Sequence, residues 1–366
     1  MKNFEYADEK ITDKEIMIAV PSMVVAVGIL SLPRELAKAT TSSDGWIPLT
    51  IMGILFIFLA WVVAKLAASF PNQSFLTYAT SLVTKPVAIA ITFLFVINGV
   101  IVSAYEVRVI AGISSEYLFD NTPMEVIGLC FLLVVVYAVS GSRVGLLRLN
   151  TMFFPIIMFI ALVVVIFSLG WVDYTNLLPM FESSFSQHLQ GLKVNSTSFI
   201  GFGAILLFYI PLVREPEKAP KMAAVGMTLV VGLSLTLFIT CIGVFGGQTT
   251  ADLVYPTIEL AKEIKIPGGF FERFESVFFV IWIMAIFNTT AMALDIAVLA
   301  FTSIFKNTKK IKVLLILSPI VYFIGMFMQD HNEVSTFGTF IGYYLLGLTL
   351  TVTILFILIS KIKGAK

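Results

Sequence analysis

Ten predominantly apolar stretches follow one another along this chain, near 15–38, 46–69, 86–119, 124–140, 150–170, 196–213, 220–245, 269–304, 312–329 and 335–360. A hydrocarbon core of about 30 Å is crossed by roughly 20 residues of α-helix, and inside it every backbone N–H and C=O has to find its partner within the protein. The chain therefore reads as an all-α polytopic membrane protein of ten transmembrane helices, a single integral membrane domain over 1–366. Composition agrees: 58% of the residues are hydrophobic and 13% charged, with a mean hydropathy of +0.96, far from a soluble mixture. The first 14 residues are polar and no small-residue cleavage site follows the first apolar run, so that run is expected to stay in the mature chain.

Orientation follows from the basic residues. Most of the 24 lysines and arginines fall in loops on one side, among them Lys10, Lys14, Arg143, Arg148, Lys309 and Lys310. Few fall on the other, namely Arg34, Lys38, Lys193, Lys262 and Lys265. Both termini are expected on the cytoplasmic side. The net charge of +1 gives no reason to expect a nucleic acid partner. Cys130 and Cys241 sit inside apolar runs, and His188 and His331 lie in separate loops with no second ligand at metal spacing. With no phosphate-binding loop, nucleophile elbow or zinc-helix motif either, nothing points to an enzyme, a metal or a cofactor.

Two spans carry an internal fault. The first contains Gly28, Ser31 and Pro33, followed by Arg34 and Glu35; the sixth reads STSFIGFGAILLFYIPLVRE, with Gly201 and Gly203 near its middle and Pro211 before Arg214 and Glu215. Each opens a set of five spans, 15–170 and 196–360, and the third span of each set is long, about 35 residues or on the order of 50 Å. Five spans per half insert with opposite topology. Matching breaks in two such halves point to a LeuT-like 5+5 inverted repeat with broken helices 1 and 6 and a site at the breaks. A helix unwound in hydrocarbon exposes N–H groups and carbonyls together, which suits a zwitterionic amino acid. Two outer loops, 181–192 and 256–265, are expected to carry small surface helices, the second with Ile258, Ala261 and Ile264 on one face.

Helices 3 and 8 would wall the site with Asn98 and Val102, and with Asn288, Thr289 and Met292; a threonine bonded to the carbonyl one turn back is the alternative for Thr289 and Thr290. Charges within spans are costly and point to function. Glu106 and Arg108 in helix 3, with Glu272, Arg273 and Glu275 at the start of helix 8, form a candidate gating or ion network on the outer side, or a static one that fixes packing. Pairing between helices 3 and 8 is one solution, since Glu106 and Arg108 point to different faces. Asp295, deeper in helix 8, is the best isolated candidate for a proton- or cation-linked carboxylate, with a hydrogen bond to a neighbouring helix as the alternative.

With GILSLPREL and the following DGW, YEVR in helix 3, NLLP, YPTIEL, and GGFFERFES leading to Trp282, the chain resembles the polytopic B subunits of bacterial spore germinant receptors, relatives of the amino acid–polyamine–organocation transporters. The resemblance runs nearly end to end. It implies a multi-pass protein of the spore inner membrane, both termini on the core side, assembled with an A subunit and a lipoprotein C subunit. It also implies a small nutrient germinant, an amino acid by preference, whose binding triggers germination. Carried over by position, the pocket comprises Ala26, Val27, Gly28 and Ile29 at the first break, Asn98 and Val102 in helix 3, Phe202 and Gly203 at the second break, and Asn288 and Thr289 in helix 8. A proton- or sodium-coupled amino acid transporter needs the same pocket and is the alternative; a passive channel working through Glu106, Arg108 and Glu272 is a third reading.

Overall fold

A computed structural model of the chain describes residues 11–40, 43–119, 121–199, 201–263 and 274–363. Ile264, Glu272 and Arg273 lie outside the described residues, as does the side chain of Glu275. Helices account for nearly all of the described chain, and a single isolated bridge, Ile11 with Val213, is its only β contact among these residues.

α1 (Asp13–Val24) starts on a capping box, in which the Glu15 N–H donates to Thr12 Oγ1 at 3.3 Å and the Thr12 N–H donates to the Glu15 carboxylate at 2.7 Å. Pro21 interrupts it, because a proline has no N–H for the carbonyl four residues back, that of Met17. Gly226 of α10 (Ala219–Phe245) packs over that carbonyl so closely that a methyl group on it would stand 2.4 Å from the oxygen. After Val25–Val27 the chain resumes as α2 (Gly28–Thr40), bent by 53° from α1.

The bent pair together is long and apolar enough for one crossing, and seven single helices among the described residues are as well. They include α3 (Trp46–Ala68), α5 (Lys85–Tyr117), α7 (Arg143–Ser168), α10, α13 (Phe274–Ile304), α14 (Lys310–Phe327) and α15 (His331–Ile362). The expected fourth and sixth positions hold shorter apolar helices, α6 (Met124–Ser140) and the piece Phe202–Leu212, whose α-helical part is α9 (Phe202–Tyr209). α4 (Phe75–Leu82) links α3 to α5.

Two expectations change. The sixth segment is not helical from 196: residues 196–199 form turns, and the helix ahead of them is α8 (Phe185–Asn195), expected as a surface helix over 181–192. α8 packs on α2 and α3, with Gly191 against Pro48 and the Asn195 amide donating to the Pro48 carbonyl at 3.4 Å. α8 is largely exposed, as expected of a surface helix, but α12 (Pro256–Lys262), preceded by the short α11 (Gly247–Asp252), is no surface helix. Ile258, Leu260 and Ala261 are wholly buried, wedged among α2, α10 and α13.

The most extensive packings join α5 to α13 and α3 to α10, third span with third and second with second, as two related halves would. Lipid offers no hydrophobic drive for helices to associate, so close backbone approach has to do that work. Gly99 of α5 supplies it: a methyl group there would stand 2.4 Å from the Ala293 carbonyl oxygen of α13. Gly347 of α15 has nothing within 4 Å of the same position. Gly99→Ala is therefore expected to destabilise by about 1–3 kcal/mol, while Gly347→Ala is expected to be neutral or slightly stabilising. Thermal unfolding of the two detergent-solubilised variants checks the contrast, and equal midpoints would contradict it.

Candidate functional site

The end of α1 leaves carbonyls that no later residue of its own helix can reach. α13 supplies two of the donors. Thr289 Oγ1 donates to the Ser22 carbonyl at 2.8 Å, and Trp282 Nε1 to the Ala26 carbonyl at 3.0 Å; the two residues are seven apart and share a face of α13. Thr290 instead bonds back to Ile286 at 2.7 Å within its helix. A third orphan arises in α2, where Pro33 leaves the Ile29 carbonyl unbonded within the helix; Thr257 of α12 donates to it at 3.1 Å.

The turn at 196–199 and the start of α9 lie against the bend between α1 and α2. Gly201 caps α9 with φ at +111°, a conformation that a side chain would strain. A methyl group on Gly28 would meet the Ser198 carbonyl oxygen at 3.2 Å, and one on Gly201 would meet Met23 at the same distance. Between the breaks is a cavity of about 110 Å³, walled by α1 and α2, by Val102, Tyr105 and Glu106 of α5, by Thr197, Ser198 and Gly201, by Thr289, and by Gly338, Ile341, Gly342 and Leu345 of α15.

Of the ligand-binding residues named from sequence, Ala26, Val27, Gly28, Val102 and Thr289 line this cavity, and so does Glu106 of the candidate charged network. The other ligand-binding candidates do not. Ile29 is buried with its carbonyl turned to α12, and Asn98 is buried elsewhere on α5. Phe202 packs edge-on against Phe56, with ring centres 6.1 Å apart. Gly203 faces α15, where a methyl group would stand 2.4 Å from Thr349, so it is a packing contact rather than part of the opening. Asn288 is 1% exposed, and neither of its amide atoms has a hydrogen-bond partner among the described residues. Met292 accepts a contact from the Asn150 amide nitrogen at 3.3 Å. Sequence reading missed the turn at 197–198 and the wall from α15. The spacing of Gly338 and Gly342, two small residues four apart in an apolar helix, was a usable signal for that wall.

Larger hollows exist, but they lack the same chemistry. An apolar groove of about 770 Å³ lies between α5, α6, α7 and α13, and a hollow of about 1250 Å³ lies between α4, the start of α5 and the end of α13. Among the described residues, no buried side-chain atom without a partner lines either of them, whereas Glu106 Oε2 is such an atom and Glu106 lines the small cavity.

The charged residues part company. Glu106 is 5% exposed and faces the cavity. Arg108 donates from Nε to the Met328 carbonyl at 2.8 Å and from Nη2 to the Gln329 carbonyl at 3.0 Å, capping the C-terminal end of α14. Nη1 also approaches Met124 Sδ of α6 at 3.7 Å, so its described partners lie on the turn between α14 and α15 and on α6, while Glu272 and Arg273 lie outside the described residues. Asp295 is not isolated. Wholly buried, it accepts from Arg143 Nε at 2.6 Å and from the Tyr209 hydroxyl at 2.9 Å, with Lys310 Nζ 3.4 Å from its other oxygen. One carboxylate so ties α7, α9, α13 and α14 together, in keeping with the rule that a buried charge is held by partners.

The motifs also meet in pairs. Asp44 of DGW accepts from the Phe181 and Ser183 N–H groups at 2.6 and 2.8 Å, and Ser43 Oγ donates to the Leu177 carbonyl of NLLP at 2.9 Å. Tyr117 donates to Glu259 of YPTIEL at 3.1 Å.

The sequence profile of a family described as "Spore germination protein" matches residues 10–334. Spore germination protein GerLB of Bacillus cereus is 40% identical over 364 residues, covering 99% of this chain and 97% of the relative. YndE of Bacillus subtilis (strain 168) is 29% identical over 352 residues, 96% of each chain, and spore germination protein B2 of the same organism 25% over 342 residues, 92% of each. Among solved structures, MhsT in complex with L-phenylalanine matches with a TM-score of 0.70 at 14% identity, covering 92% of this chain and 87% of that one, a likeness of fold. The chain is a multi-pass membrane protein of LeuT-like fold, and its relatives are germination proteins rather than enzymes.

Removing the centre of the Asp295 cluster leaves Arg143 and Lys310 without their carboxylate. Asp295→Asn is expected to cost about 3–5 kcal/mol, and adding Arg143→Gln to recover part of that loss. Thermal midpoints of the single and double variants measure both effects; an additive double variant would show that the two groups are not coupled.

Proposed function

The chain belongs to the spore germination protein family, and from that premise we propose that it is the germinant-sensing subunit of a spore receptor. A small nutrient, an amino acid, occupies the cavity between the two breaks, α5 and α13, and favours one arrangement of the bundle over another. A ligand shifts such an equilibrium only by its difference in affinity for the two arrangements, and a site built where two broken helices touch is placed to feel that difference. The shift passes to an A subunit and a lipoprotein C subunit in the spore inner membrane, with both termini of this chain on the core side.

The observation that carries this reading is the contact of the breaks, with Gly28 against the Ser198 carbonyl beside a cavity that contains one buried, unpartnered carboxylate oxygen. Ligand sites commonly enclose about 300–1,000 Å³. A cavity of about 110 Å³ supports a compact nutrient, so larger germinants would require the walls to part. The L-phenylalanine named with MhsT gives a precedent for an amino acid in this fold. The same likeness favours a second reading, a proton- or sodium-coupled amino acid transporter.

Two experiments decide. In spores whose only intact receptor contains this chain, Gly28→Leu is expected to fill the meeting point of the breaks and lower germinant sensitivity by about a hundredfold or more, with normal amounts of the subunit in inner-membrane fractions. A normal response from such spores would count against the site. Purified chain in liposomes is expected to bind an amino acid without concentrating it; uphill accumulation driven by an ion gradient would establish the transporter reading instead.

A further inference from the structure

We propose that Glu106 is the anchor for a protonated amine, so that the ligand of this cavity must carry an ammonium group. This deepens the reading above and rests on it.

Glu106 is the one charged side chain among the described residues that line the cavity. It is 5% exposed, and its Oε2 has no hydrogen-bond partner among those residues. Arg108, the nearest cation along the chain, is committed to the carbonyls of Met328 and Gln329 and does not line the cavity. A carboxylate shut away from water with no partner is expensive, and a cation delivered beside it removes that cost.

Part of the backbone at the first break is already engaged. An unwound helix would normally offer carbonyls to an ammonium, but here Thr289 occupies the Ser22 carbonyl, Trp282 the Ala26 carbonyl, and the Leu30 N–H the Val27 carbonyl. Thr289 has spent its proton on Ser22 and presents only lone pairs. A neutral hydroxyl placed beside Glu106 would leave its charge uncompensated, so an α-hydroxy acid, a sugar or an amine-free nucleoside meets the cavity at a disadvantage that an α-amino acid does not.

The test uses the purified full chain in lipid nanodiscs, with ligand binding read as a rise in thermal midpoint. The probes are the twenty amino acids, L-lactate and L-2-hydroxyisovalerate as amine-free counterparts of alanine and valine, the N-acetyl amino acids, glucose and inosine. At least one amino acid is expected to stabilise wild type, with its hydroxy and N-acetyl counterparts weaker by roughly thirtyfold or more. Glu106→Gln is expected to lose the amino acid response by a similar factor while its unliganded midpoint stays at or above that of wild type, because no described partner is lost. Gly28→Leu separates the two readings. If an amino acid binds Glu106→Gln as it binds wild type, or binds no better than its hydroxy counterpart, or if only amine-free probes act or no probe acts at all, the amine anchor is overturned; where Gly28→Leu still blocks whatever binding occurs, the cavity reading survives that loss. Binding that persists in Gly28→Leu overturns the cavity itself. A fall in the unliganded midpoint of Glu106→Gln together with equal loss for amine and amine-free probes would mark Glu106 as structural and overturn its role as anchor.

Discussion

Hydrocarbon cannot hydrogen-bond a peptide group, and the architecture around the site follows from that one restriction. A soluble helix that ends early hands its last carbonyls to water; α1 ends at Val24 among buried side chains, where each unbonded group would cost several kcal/mol. Thr289 and Trp282 take two of these carbonyls, and Thr257 takes the one that Pro33 frees further on. Side chains of α13 and α12 therefore perform a bonding task that belongs to the backbone in an ordinary helix. The break is thereby held by α12 and by α13, whose Thr289 also lines the cavity, and any change in how α13 lies against α1 has to exchange these bonds for others.

The same restriction explains why small residues do so much of the packing. Gly99 against Ala293, Gly226 against Met17 and Gly203 against Thr349 are all contacts that a single methyl group would obstruct. Dispersion between closely approached helices substitutes for the hydrophobic drive that lipid does not provide. Such seams leave little room for gradual deformation, so a bundle of this kind moves between discrete packings rather than along a continuum.

A bend in the first segment was legible, because Gly28, Ser31 and Pro33 sit together inside an apolar run; the bend falls just ahead of them, at Val25–Val27. Sequence misjudged the sixth. Gly201 and Gly203 look alike in FIGFG, yet one is needed for a positive φ and the other for closeness to Thr349, a distinction that only the packed partner reveals. α8 was legible as a surface helix, because its polar residues dominate and only Gly191 and Asn195 are buried. α12 was misplaced: seven residues are too few for periodicity to show that nearly every face is covered. Asp295 looked alone because Arg143, Tyr209 and Lys310 are distant in sequence and converge only when α7, α9 and α14 are assembled.

The contrast between Glu106 and Asp295 carries the synthesis one step further. Both are acidic residues buried in long central helices, and composition alone would treat them as equivalent. Asp295 has an arginine, a tyrosine and a lysine around it; its Oδ1 lacks a hydrogen bond but lies 3.4 Å from Lys310 Nζ, so its charge is compensated and four helices are joined. Glu106 has an oxygen without a described partner and faces an opening between two breaks. A compensated charge resists rearrangement, whereas an unsatisfied one creates a free-energy difference that an incoming partner can relieve. The first is suited to holding helices together and the second to receiving a partner, and the distinction rests on what surrounds each carboxylate rather than on the residue type.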